Sequence, residues 1–214
     1  GLITADPDIG EDVHLIFQQL SGLALATRLK RLLQSPFTLH PGVIARIQRE
    51  AEHAGQGKPA RIIAKMNALN EPQVIRALYA ASQAGVSIDL IVRGACTLRP
   101  GIAGISENIR VRSIVGRFLE HSRAWWFAND GVPELFCSSA DWLERNLLRR
   151  VETGFPVLDP ALAERVKEEV LDNYLADNIN AWELQPDGRY VRVEPAEDEM
   201  PHSAQSALLA KLCS

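Results

Sequence analysis

The most constraining feature of the sequence lies between Ala60 and Val92. Ala60–Met66 is a short apolar run, Glu71–Ala84 has helical spacing with Pro72 near its start, and Val86–Val92 is a second apolar run. Two buried strands joined by a helix form a βαβ unit, which requires a parallel pair and a right-handed crossover. In open α/β sheets, ligands bind beyond the carboxyl ends of the strands. The residues at those ends, Lys65-Met66-Asn67 and Arg93-Gly94, therefore stand where a site is expected.

The flanking sequence fits around this unit. Residues 9–33 read as a helix, with Ile9, Val13, Ile16, Phe17, Leu20, Leu23 and Leu25 at three-four spacing. A turn-rich connector over 34–42 leads into a second helix, Thr38–Ala54, which tolerates Pro41 in its first turn. The polar stretch Gly55-Gln56-Gly57-Lys58-Pro59 is the best internal boundary. Beyond the βαβ unit, Arg110–Val115, Ala124–Phe127, Glu134–Cys137 and Val151–Pro156 read as strands. Asp141–Leu148 and Pro160–Asn173 read as helices, and Ala181–Val193 reads as a hairpin around Pro186-Asp187-Gly188. The tail from Glu194, acidic and then rich in Ser and Ala, reads as frayed. The expected class is α/β, a mixed sheet flanked by helices with a short helical N-terminal lead.

The total charge of −4 hides a local excess. Between Lys58 and Arg123 ten bases face four acids, a +6 segment that leaves −10 for the remainder. A basic patch inside an acidic protein suits an anion and argues against a nucleic-acid coat. Cys96, Cys137 and Cys213 are odd in number and lack zinc spacing, which reads as three reduced thiols in a cytosolic protein. No apolar run approaches 18 residues. Gly1 stands where a start Met is expected, so the chain reads as a piece of a longer protein.

Several residue types here suit phosphate chemistry. His121 and Arg123 flank Ser122 just before the aromatic strand Ala124-Trp125-Trp126-Phe127. On an extended segment the two side chains share a face and can meet a phosphate together, and imidazole can give or accept a proton near neutral pH. Spacing alone leaves open a surface histidine at a strand entrance. Arg93 offers a planar fork of donors that matches phosphate oxygens, and Gly94 permits close backbone approach. Ser138-Ser139 ends a strand before Asp141-Trp142, where small hydroxyls either donate to phosphate or cap a helix. Lys65, Asn67, Arg93, His121, Arg123, Ser138 and Ser139 thus form the candidate phosphate-binding set, with His121 as the acid–base group. No metal-ligand set stands out. His14, His40, His53 and His202 read as structural or exposed, without partners.

Several long motifs carry a resemblance. Leu33–His40, Pro59–Leu69, Ile88–Gly94, Ile109–Arg123, Ser138–Trp142 and Arg145-Asn146 resemble, in order, the C-terminal part of the long bacterial polyphosphate kinases. The likeness runs from about Gly1 to Arg192. It implies cytosolic or membrane-peripheral homo-oligomers that transfer the terminal phosphate of ATP reversibly onto inorganic polyphosphate, with Mg²⁺ and a phosphohistidine intermediate. It also implies two C-terminal domains of phospholipase D-like fold, each giving half of the site. This chain would be residues 1–56 as the end of the preceding domain and a connector, 57–193 as the second such domain, and 194–214 as a flexible tail.

By the same resemblance, Arg93 and His121 match ATP-contacting positions and His121 matches a second histidine that assists as acid or base. Lys65 and Arg123 would help Arg93 stabilise the moving charge. The phosphorylated histidine and most Mg²⁺-holding residues would lie outside this chain, so the piece alone is expected to be inactive. Phospholipase D-like halves carry His-x-Lys with an Asp five residues after the Lys. Here Arg123 replaces the Lys and Ala128 stands at the Asp position, which disfavours phosphodiesterase chemistry. A non-catalytic polyanion- or nucleotide-binding module is the other reading of the +6 segment.

Overall fold

The computed structural model describes residues 1–23 and 28–213. Its helices are α1 (Pro7–Leu20), α2 (Leu39–Gly55), α3 (Pro72–Gln83), α4 (Glu144–Leu148), α5 (Pro160–Val166), α6 (Asn173–Leu175) and α7 (Ala204–Leu212). Its strands are β1 (Leu33–Ser35), β2 (Arg61–Met66), β3 (Ser87–Val92), β4 (Ile109–Ile114), β5 (Ala124–Phe127), β6 (Glu134–Ser138), β7 (Glu152–Pro156), β8 (Ala181–Leu184) and β9 (Tyr190–Arg192). Among the described residues these strands form one nine-stranded sheet in the order β1-β7-β6-β5-β2-β3-β4-β8-β9. The ladders β2–β3 and β3–β4 are parallel and the other pairs antiparallel, so the expected mixed α/β class holds.

Side-chain alternation divides the sheet between two cores. Ile62, Ala64 and Met66 of β2, with Ile88, Leu90 and Val92 of β3, face α2 and α3 through Val43, Ile47, Val74 and Leu78. The intervening Ile63 and Ile91 face the opposite layer, where Leu171, Tyr174 and Ala204 pack. Lys65, two residues beyond Ile63, shares its side of the strand and so is carried to that second face. β2 lies at the centre of the sheet, and its residues from Ile62 onward are buried.

The first helix is shorter than its periodicity suggests. It ends at Leu20, where Gly22 takes φ +71° and donates to the Gln19 carbonyl, a glycine stop. Leu25 lies outside the described residues. Asp12, fully buried in α1, accepts from the backbone N–H groups of Lys30, Arg31 and Leu32 and ties the returning chain to the helix. Leu33–Ser35, read as the end of that helix and part of the connector, is instead a strand paired with β7.

Two other segments differ from expectation. The Pro160–Asn173 helix breaks into α5 and a wider π-type turn at Lys167–Asp172, and α6 completes it. The tail read as frayed carries α7, whose first residues Ala204 and Gln205 are buried. Ala204 N–H donates to Asp177, and Asn178 pairs with His202 in both directions. Among the described residues no helix is long and apolar enough to cross a membrane.

Candidate functional site

The antiparallel setting of β5 against β2 and β6 decides where the site falls. Lys65 registers with Ala124, and Ala124 with Cys137. The loop before β5, the chain after β6 and the carboxyl ends of β2 and β3 therefore meet at one sheet edge. His121 and Arg123, Ser138 and Ser139, Asn67, and Arg93 all arrive there.

Asp141 organises one side of that edge. Its Oδ1 accepts from Arg123 Nε at 2.9 Å and from Asn67 N–H at 2.7 Å, and its Oδ2 accepts from Arg123 Nη2 at 3.1 Å. Burial pushes the Asp141 carboxyl up, but the Arg123 guanidinium and the Asn67 donors outweigh it and hold it below the usual carboxylate range. Helix α4 begins at Glu144 and not at Asp141 because the Trp142 carbonyl accepts from Asn70 and Glu71 N–H in a bridge to Leu69, which keeps this stretch extended. Arg123 reaches back to His121 as well, with Nη1 donating to its carbonyl at 3.2 Å and Nη2 3.4 Å from Nε2. His121 is exposed.

Glu120 organises the other side. Lys65, only 3% exposed, places its Nζ 2.8 Å from Glu120 Oε2 and 3.0 Å from the centroid of the Tyr174 ring. Glu120 Oε1 accepts from Tyr174 Oη at 2.9 Å and from Gln205 Nε2 at 2.6 Å. Burial draws the Lys65 amine down to about 8 although Glu120 opposes it. Burial pushes Glu120 the other way, yet Lys65, Gln205 and Tyr174 together hold its carboxyl low. Burial, and then Glu120, raise the Tyr174 phenol, which stays a donor.

Lys65 therefore spends its charge inside the protein, whereas its strand-end position suggested a free phosphate ligand. Arg93 is half-buried and uses one donor, Nη1, on the Glu120 carbonyl at 2.7 Å. The close approach at Gly94 is to protein: a Cβ there would meet the Asn67 carbonyl oxygen at 3.2 Å. The Ser138 hydroxyl donates to the Thr153 carbonyl and accepts from Ala140 N–H. The Ser139 hydroxyl bridges Glu152 and Thr153 N–H, so neither serine caps α4. His121, Arg123, Ser138 and Ser139 line a cleft of about 690 Å³ whose far wall is apolar, with Phe155, Val157, Leu162, Val166 and Val170.

The +6 segment is half offset by acids that lie beyond it. Lys58, Arg61, Lys65, Arg110, Arg112 and Arg123 each pair with a carboxylate, three of them with acids outside the segment: Asp130, Glu183 and Asp141. Two of the other histidines do have partners, His14 with Gln18 and His202 with Asn173, and the buried His40 places its Nε2 3.1 Å from the Glu71 carboxylate without hydrogen-bond geometry. Among the described residues no group of three or more His, Cys, Asp or Glu side chains could hold a metal ion.

A nine-stranded mixed sheet with helices on both faces defines an α/β domain of phospholipase D-like fold. A solved phospholipase D family member, Nuc from Salmonella typhimurium, superposes with TM-score 0.50 at 18% identity over 76% of this chain and 97% of its own, a likeness of fold alone. Residues 32–205 match the family described as polyphosphate kinase C-terminal domain 2, and the chain belongs to that family.

Curated relatives agree. Polyphosphate kinase of Xylella fastidiosa strain Temecula1 is 70% identical over 99% of this chain, and that of Pseudomonas aeruginosa strain PAO1 is 55% identical over 100%. The chain spans about 30% of the length of the Xylella relative and 31% of the Pseudomonas one. The crystal structure of polyphosphate kinase from Porphyromonas gingivalis matches with TM-score 0.93 and 42% identity, over 98% of this chain and 32% of that one.

Sequence reading missed Glu120, Asp141, Tyr174 and Gln205. Glu120 lies between Arg117 and Arg123, where its acidity among bases was the available signal, and Asp141 follows the Ser138-Ser139 pair without such a signal. Tyr174 and Gln205 carry no local signal, because only the tertiary fold brings them to Glu120.

Proposed function

We propose that this domain supplies one half of a phosphoryl-transfer site that moves the terminal phosphate of ATP reversibly onto inorganic polyphosphate. The supporting observation is the exposed His121 beside an Arg123 locked by Asp141, at the rim of a cleft, with Arg93 bonded to the carbonyl of the preceding Glu120. Such transfer depends on positioning and on charge stabilisation more than on covalent work by the protein. Arg93 holds the oxygens of the phosphate in transit and stabilises the charge that develops on them, and Arg123, its fork held by Asp141, adds the Nη1 donor that Asp141 and His121 leave over. His121 gives or accepts a proton at the bridging oxygen beside them.

The receiving nitrogen belongs to a histidine elsewhere in a longer enzyme. As its bond to phosphorus forms, the bond from phosphorus to the bridging oxygen breaks and the departing phosphate keeps the electron pair. In this reading the domain works with the remaining domains of the same enzyme, as a homo-oligomer, and Mg²⁺ is held by residues outside this chain. Purified 1–214 with ATP and Mg²⁺ then makes no polyphosphate, and detectable synthesis overturns that.

In a full-length enzyme carrying the domain, His121→Ala abolishes turnover and leaves polyphosphate binding within about twofold, as expected for a group that acts in the transition state. Equal loss of both favours a polyanion-binding role instead.

A further inference from the structure

His121 sits on a loop that belongs to neither neighbouring strand. Between the end of β4 and the start of β5 the chain has no ladder, and Val115, Phe118 and Leu119 are exposed at 62%, 46% and 79%. A loop with so little apolar burial needs other contacts to hold one conformation. A large share of those contacts comes from one side chain on α7. Gln205 Oε1 accepts from Phe118 N–H at 2.9 Å, and Gln205 Nε2 donates to the Phe118 carbonyl at 2.8 Å and to Glu120 Oε1 at 2.6 Å. Glu120, the residue before His121, is thereby joined to Lys65 and Tyr174.

The loop is shaped to receive this side chain. A Cβ added at Gly116 would lie 2.4 Å from Gln205 Oε1 and 2.8 Å from its Cδ. Glycine leaves the amide room to reach across to Phe118. Gln205 is itself 6% exposed, and α7 is fixed at its start by the bond from Ala204 N–H to Asp177.

We infer that Gln205 is a positioning residue for His121: the C-terminal helix clamps the 116–120 loop, so docking that helix and placing the acid–base histidine are one event. This rests on the phosphoryl-transfer reading of His121. A displacement of about 1 Å in a reacting group can cost about 100-fold in rate, so the clamp acts on kcat and leaves ground-state binding nearly unchanged.

The test uses a full-length enzyme carrying the domain. Gln205→Met keeps the side chain's length and removes its hydrogen bonds. Gly116→Ala evicts the amide from the opposite side and leaves α7 intact. Both variants should speed amide hydrogen exchange across 115–121 and lower kcat about tenfold or more, with KM for ATP within about twofold. Exchange unchanged in both variants shows that no clamp exists. Faster exchange with unchanged kcat, in an enzyme that His121→Ala inactivates, overturns the positioning role and spares the proposed function. If His121→Ala retains turnover, the functional reading fails and the inference falls with it.

Discussion

Lys65 and Glu120 form an ion pair of 2.8 Å in which the lysine is 3% and the glutamate 9% exposed. The pair joins the central strand β2 to the residue preceding His121. Tyr174 completes it from both directions, offering its ring to Lys65 and its hydroxyl to Glu120. Removing one member of a buried pair strands the other, which is costlier than losing the pair whole. Glu120→Ala should therefore destabilise the fold by about 3–5 kcal/mol. Lys65→Met with Glu120→Leu should restore most of that loss in urea unfolding. A single variant no worse than the double would contradict the pairing.

The same carboxylate sets a pH dependence. Glu120 is held below its ordinary 4.5 by its three donors. A depressed carboxyl gives stability that is fully present above the unfolded value and is lost as pH falls through the folded one. Melting temperature should thus decline more steeply below about pH 4.5 in the native protein than in Glu120→Gln. Parallel curves would show that Glu120 makes no such contribution.

Asp141 should behave as a second anchor. Its loss strands the Arg123 guanidinium and the Asn67 N–H together, so Asp141→Ala is expected to cost about 3 kcal/mol. Arg123→Lys keeps the charge and loses the planar fork. That variant should fold, with a smaller loss of stability and a weaker hold on phosphate, measured by denaturation and by polyphosphate titration. Lysine binding as tightly as arginine would mean that the fork does not matter.

The thiols should react in order of access. Burial pushes the Cys96 thiol up to about 11 and raises Cys137 as well, whereas Cys213 is exposed at the end of α7. Iodoacetamide at pH 7.5 should label Cys213 first and Cys96 slowly, because the thiolate is the reacting form. Mass spectrometry of peptides sampled over time would reveal any other order.

Local sequence carried much of this architecture. The run from Ala60 to Val92 could only be a βαβ unit, and it placed Asn67 and Arg93 at the edge they occupy. Ser21-Gly22 also held a stop for α1, which the three-four spacing beyond it obscured. The partners of the bases were not legible. Arg112 meets Glu183 and Arg123 meets Asp141 through strand pairing and loop closure, which charge counting along the chain cannot see. The sheet position of Lys65 was legible, but its burial depends on Tyr174 of α6 and on Glu120, which only the tertiary fold brings to it.

The glycine at 116 has a consequence for sequence drift. Because a methyl group there would occupy the space of the Gln205 amide, what position 116 can hold depends on what stands at 205. A relative that replaced the glutamine with a small residue could accept alanine at 116, while one that kept the glutamine could not do so without displacing it. The two positions thus share one volume, and a side chain at 116 should be found in company with a change at 205.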